Sequence, residues 1–211
     1  MKKLLDLDNW NRKEHFLFFK QMQEPFFGVT VTIDCTKAYE MAKTLNTSFF
    51  IYYLHKTLTA VNAFENFRYR ISNTHIYIYD RIDGSPAISR ADSTFGFSLI
   101  EYHPDYTIFE QTAKAEIERI QNTTGLFTRE VKNDNVIHFS TIPSLDFTSI
   151  SHARNMTFPD SSPKISFGKM KLTKKGNRKM SMSIHAHHGL MDAIHVAQMV
   201  EYFQEIMNND I

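Results

Sequence analysis

Apolar and polar residues alternate with a period of two over several stretches of this chain and recur with the helical period over others. Val29, Val31 and Ile33 alternate with Thr30, Thr32 and Asp34, which predicts a half-buried strand. Residues 136–141 alternate in the same way, and so does the run from Met180 to His187. Residues 165–172 and 179–187 flank Lys174-Lys175-Gly176-Asn177, which predicts an antiparallel hairpin. Shorter strands are predicted at 67–71, 75–79, 87–90 and 94–100, with Asp83-Gly84-Ser85-Pro86 breaking the chain ahead of residue 87. Helical periodicity predicts a short helix over 37–44, with Thr36 as its cap, and a longer one from Ser48 to Phe64. A further helix spans 105–122, with Phe109, Ala113, Ile117 and Ile120 near one face. The last helix, from about Asp192 to Met207, buries Val196, Val200, Phe203 and Met207. Many strands with a few interspersed helices imply an α/β protein: a mixed β-sheet with helices packed on it.

The length of 211 residues suits one substantial core, so residues 1–211 are read as a single domain. No linker, repeat or low-complexity segment divides them. Formal net charge is +1, which gives no support to nonspecific nucleic-acid binding. Eighteen phenylalanines and nine tyrosines predict an aromatic core. No apolar run approaches the roughly 18 residues of a membrane span. Met1-Lys2-Lys3-Leu4-Leu5 opens like a signal peptide, but Asp6 and Asp8 end the apolar region at once. The single cysteine, Cys35, excludes an intramolecular disulfide and reads as a small packed residue. The cytoplasm is the expected location.

The chemistry concentrates in His187-His188-Gly189-Leu190-Met191-Asp192, where the last strand gives way to the last helix. The backbone there is held on both sides, while a side chain is free to project into a cleft. An imidazole so placed takes and returns a proton near neutral pH. Plainer readings stand beside this one. Asp192 is also a good N-cap, and a neighbouring histidine can be structural. His185, His187 and His188 also suggest a metal site. Residues 185 and 187 share a strand face and 188 points away, so convergence would need a bend.

His-His-x-x-x-Asp resembles the active-site motif of chloramphenicol acetyltransferases and of the acyltransferase domains of 2-oxoacid dehydrogenase complexes. The segment Asp8-Asn9-Trp10-Asn11-Arg12-Lys13-Glu14-His15-Phe16 is similar to the opening of the chloramphenicol enzymes. So are Asn62-Ala63, Phe67-Arg68, Phe139-Ser140-Thr141-Ile142-Pro143, and the tail from His195-Val196-Ala197 to Gln204-Glu205. The resemblance implies a two-layer sandwich and transfer of acetyl from acetyl-CoA to a hydroxyl of chloramphenicol or a related small molecule. It implies His188 as general base, Ser140 as oxyanion donor, and Arg12 with Asp192 as a buried ion pair shaping the catalytic loop. Lys169 matches a coenzyme-site lysine, and Ser166 a threonine that contacts the intermediate through water. Phe19, Phe95 and Phe127 match positions around the acceptor. No metal is required. A homotrimer with interfacial active sites is implied, with no nucleic-acid or membrane partner.

The chain departs from that family in places. Phe19 stands for a tyrosine, Met170 for a coenzyme-stacking tyrosine, and Ala193 for a glycine. Lys164 falls where isoleucine is usual, and His152 and Arg154 where the family has apolar pocket residues. These put the acceptor in question while leaving base and oxyanion donor intact. Two other readings remain: a catalytically silent trimer that binds a small molecule, and a free-standing dihydrolipoyl acyltransferase domain.

Overall fold

A computed structural model describes residues 1–129, 134–155 and 160–209. In chain order the elements are β1 (Lys2–Leu4), α1 (Lys13–Phe19), β2 (Phe26–Asp34), α2 (Thr36–Thr44) and α3 (Phe49–Ala63). A 3₁₀ turn (Glu65–Arg68) leads into β3 (Tyr69–Ser72), β4 (His75–Tyr79), β5 (Asp83–Ser89) and β6 (Phe95–Phe97). Then come α4 (Tyr106–Gln121), β7 (Val136–Thr141), β8 (Lys164–Phe167), β9 (Lys171–Leu172), β10 (Arg178–His187) and α5 (Ala193–Met207). The main sheet runs β2-β10-β8-β7-β5-β6, with β9 also beside β10. Its β5–β7 and β7–β8 pairs are parallel and the others antiparallel. A small sheet, β1-β4-β3, stands apart.

Alternation makes the main sheet two-faced. Ile137 and Phe139, Ile165 and Phe167, and Met182, Ile184 and Ala186 all point to one side and are buried. Helices α2 to α5 cover that side with Ala38, Leu54, Phe109 and Phe203, among others. Each such large side chain contributes about 1.5–3 kcal/mol by leaving water. The intervening residues form polar rows across the other side. Ser85, His138, Lys164 and His185 are successive cross-strand partners, and so are Ser140, Ser166 and Ser183. Gly28 continues the first row opposite His185, and a Cβ there would lie 2.5 Å from the His185 ring. Helix α1 instead buries Phe16 in a second cluster with Tyr69, Ile76, Ile78 and Leu190. Arg70 ties that cluster to the main sheet, donating to the Val136 carbonyl at 2.7 Å.

Some expectations need correction. Asp83 to Pro86 does not break the chain; it is the first half of β5. Its turn-forming residues are satisfied within the sheet. The Asp83 carboxylate accepts from the Tyr102 N–H at 2.9 Å, and Pro86 offers its carbonyl to the Ser98 N–H at 3.1 Å. In a strand the N–H of a residue shares its carbonyl's side, so the donor missing from Pro86 costs the β5–β7 ladder nothing. The strand expected from residue 67 starts as a 3₁₀ turn. The one expected over 165–172 divides at Gly168-Lys169-Met170, where the Lys169 N–H leaves the ladder for the Leu145 carbonyl at 2.8 Å. Thr36 lies inside α2 rather than capping it, and Ser48 flanks α3 without a side-chain cap bond.

Candidate active site

The turn between β10 and α5 is fixed by bonds to His187. Its carbonyl accepts from the N–H groups of Leu190 and Met191 at 2.9 and 3.2 Å, and its Nδ1 from the Gly189 N–H at 3.1 Å. Its ring is 4% exposed and meets Phe26 edge-on. Burial pushes the imidazole pKa down to about 4, so it is neutral at pH 7. His187 therefore holds the turn.

His188 leaves the strand on the opposite side. Its N–H donates to the Pro25 carbonyl at 2.8 Å. Phe19, at the end of α1, stacks on its ring at 4.0 Å and 12°, and Phe27 lies tilted at 4.8 Å. The side chain is 36% exposed, yet Nδ1 is buried. The opposite ring edge, which carries Nε2, thus provides the open surface. Nδ1 stands 3.1 Å from Asp192 Oδ1 without an aligned hydrogen bond.

Asp192 is the N-cap residue of α5, and its own N–H donates to His195 Nδ1 at 3.0 Å. Both of its carboxylate oxygens accept from Arg12, a short bond from Nη1 and one of 3.0 Å from Nη2. Nη2 also donates to the His188 carbonyl at 3.0 Å. Arg12 is buried. Its hydrogen bond and charge hold the Asp192 carboxyl below the usual carboxylate range. One guanidinium thus fixes both the loop backbone and the carboxylate beside the ring.

Ser140 sits near the end of β7 on the polar sheet face and lines a cavity of about 490 Å³. Phe95, His138, His152, Asp160 and Lys164 share that lining, whereas His188 does not. The register explains the separation. Ser140 faces Ser166, and Ser166 faces Ser183, two strand spacings in all. His188 lies 188 − 183 = 5 residues beyond Ser183. At about 4.8 Å per strand and 3.3 Å per residue, Ser140 and His188 of one chain are roughly 19 Å apart.

The other predicted residues divide between these loci. Phe19 joins His188 as its stacking partner. Phe127 is 74% exposed and lies 5.4 Å from Phe97. Ser166 is buried beside Ser140, with its hydroxyl 3.3 Å from His152 Nε2. Lys169 is exposed, and Met170 packs against the main core. Lys164 pairs with Asp160, and Arg154 lies 3.1 Å from Glu24. Both cations sit over the Phe26 ring, at 4.9 and 3.3 Å from its centroid. His185 meets His152 edge-on at 4.9 Å, and among the described residues no group of three His, Cys, Asp or Glu side chains is placed to hold a metal ion. Sequence reasoning missed His195, Phe27, His138 and Asp160. His195 was visible only as part of the family-like tail, and His138 left a trace by preceding Ser140 by two residues, which puts it on the same face.

A histidine presented at a strand-to-helix turn, on a two-layer sheet with a serine-lined cavity, defines the class of α/β acyltransferases. The chloramphenicol acetyltransferase family model matches residues 2–204. The chain is 27% identical to chloramphenicol acetyltransferase 3 of Escherichia coli, over 98% of this chain and 97% of that protein. It is 25% identical to chloramphenicol acetyltransferase 2 of Haemophilus influenzae, over 97% and 96%. A solved chloramphenicol acetyltransferase superposes with a TM-score of 0.91 at 30% identity, covering 98% of this chain and 100% of that one. The dihydrolipoamide acetyltransferase of Azotobacter vinelandii shares the fold, with a TM-score of 0.67 at 8% identity over 93% and 86%. The chain belongs to the chloramphenicol acetyltransferase family. Among the described residues, no helix is long and apolar enough to cross a membrane.

Proposed function

We propose that this protein is a cytoplasmic acetyl-CoA-dependent O-acetyltransferase that acts on chloramphenicol or a related hydroxylated small molecule through a ternary complex. The observation that carries the reading is the His188 ring: bordered on its Nδ1 side by Asp192, which Arg12 holds in place, stacked on Phe19, and open on the other edge. An alcohol is too weak an acid to ionise alone at neutral pH. Nε2 of His188 accepts the hydroxyl proton as the oxygen attacks the thioester carbonyl. The negative charge moves to the carbonyl oxygen, which accepts a hydrogen bond from the Ser140 hydroxyl. Collapse of the intermediate expels the coenzyme A thiolate, which takes the proton back from His188. The exposed ammonium of Lys169 suits a coenzyme phosphate.

No reacting carbon lies within about 3 Å of both His188 and Ser140 when these stand roughly 19 Å apart. The reading therefore takes the site as composite, with His188 of one copy completing the cavity of the next, in the homotrimer that the family resemblance implies. Thiol release from acetyl-CoA, followed with chloramphenicol and other alcohols, tests the reading. Turnover by the wild type, with a loss of about 10²–10⁴-fold in kcat for His188→Ala, is expected. A His188→Ala variant as fast as the wild type removes the proposed base, and no release with any acceptor removes the reaction.

A further inference from the structure

The cavity beside Ser140 is not an apolar slot. Phe95 and Phe97 form one aromatic wall, placed on the Ser140 face by their pairing with Ser89 and Ala87. Across from them stand His138, His152, Asp160 and Lys164. His138 and Lys164 are direct cross-strand partners. Lys164 is held by Asp160, so their charges cancel. Burial, and then the Lys164 charge, push the His138 imidazole down to about 4. Burial also lowers that of His152. Both rings are neutral at pH 7, and each neutral ring offers one N–H donor and one bare nitrogen acceptor.

Among the described residues the lining thus sets several hydrogen-bonding groups against an aromatic wall, and its ionised side chains, Lys164 and Asp160, offset each other. A purely apolar ring would strip these groups of water and return no hydrogen bonds. A charged acceptor would meet no uncompensated opposite charge. A ring with several hydroxyls satisfies both walls. Its hydroxyls donate to Asp160 and the bare nitrogen of His138 and accept from Lys164, while its C–H face lies on Phe95 and Phe97. We infer that the acceptor is an uncharged polyhydroxylated compound, a sugar ring or simple glycoside, bound beside Ser140 with its reacting hydroxyl turned toward His188 of the adjoining copy. The inference rests on the acetyl-transfer reading in taking this cavity as the seat of the acceptor.

The test is thiol release from acetyl-CoA with methyl glucoside, trehalose, glycerate and chloramphenicol, run beside calorimetric titration of methyl glucoside alone. The sugars are expected to exceed chloramphenicol in kcat/KM by roughly 100-fold, because a site built to hydrogen-bond a ligand rejects one that leaves its groups unpaired. His138→Phe, which creates no lone charge, should move the ratio at least about tenfold toward chloramphenicol. Should that variant fail to fold, the wild-type ranking still decides. Preference for chloramphenicol or glycerate, or the absence of sugar binding, overturns the inference. Sugar binding without thiol release from any acceptor overturns acetyl transfer instead and upholds the cavity assignment.

Discussion

The β10–α5 turn and the polar sheet face differ in how tightly they are determined. At the turn, hydrogen bonds and stacking fix the backbone and the ring: Arg12 holds Asp192 and the His188 carbonyl, His187 holds Gly189, and Phe19 covers the ring. The polar face is held by side-chain ion pairs, Lys164 with Asp160 and Arg154 with Glu24, around an open cavity. Substituting one residue there should change what the cavity accepts while the turn stays in place. A proton-transfer group must be held close to its productive geometry, whereas an acceptor pocket gains from being alterable. On the proposed reading the base thus stands apart from the acceptor pocket, and Ser140 is the one proposed catalytic group that lines it.

The strongest way to break this comparison is to separate the two parts physically. His188→Ala and Ser140→Ala should each be nearly inactive, by about 10²–10⁴-fold for the base and about 10²–10³-fold for the oxyanion donor. Refolded together in equal amounts, the two inactive chains should regain about a quarter of wild-type activity. In a ring, one site in about four then has His188 on one copy and Ser140 on the next. A site built within one chain predicts no recovery at all, so the steady-state rate of the mixture decides.

The clamp is sharpened by a smaller effect. Arg12→Met leaves Asp192 without its cation and should cost about 3 kcal/mol in denaturant unfolding, near the low end for such pairs because Asp192 is partly open to water. Adding Asp192→Asn removes the stranded charge and keeps an N-cap, so most stability should return. The rate should not return, because the ring has lost its anchor. Recovery of both would show that Arg12 is structural only; recovery of stability alone makes it a positioning residue.

These differences track what was legible in the sequence. The turn was readable because its parts are local: an alternating run, two histidines, and a capping aspartate. β7 was also readable to the residue, since a 136–141 alternation needs no partner to be seen. The start of β5 was not, because Asp83 and Pro86 signal a turn unless Tyr102 and Ser98 are known to lie beside them. The polar cavity was half readable. Lys164 and His152 stood out against the resembled family, but the Asp160 that neutralises Lys164 and the placement of His138 opposite it depend on the folded chain. Burial of Arg12 likewise arises from the packing of α1 against β3, β4 and Leu190, which no window of sequence contains.

The gentlest test concerns His187, which the turn keeps neutral. Its pKa in the fold is about 4, while a histidine in an unfolded chain titrates near 6.5. Above about pH 6.5 neither state binds the proton, and stability does not depend on this group. As the pH falls from there toward about 4, the unfolded chain takes up protons that the fold refuses, so stability declines. Below about pH 4 both states are protonated and the loss from this residue stops growing, having reached on the order of 3 kcal/mol. His138, with a folded pKa also about 4, adds to the same window. His187→Asn keeps an acceptor near the Gly189 N–H and has no proton to gain. Urea midpoints measured from pH 8 to pH 4 should therefore fall less steeply for His187→Asn than for the wild type, while kcat at pH 8 changes little. An equal slope in the two proteins would mean that residue 187 is already open to water, and that the turn presenting His188 is looser than its hydrogen bonds imply.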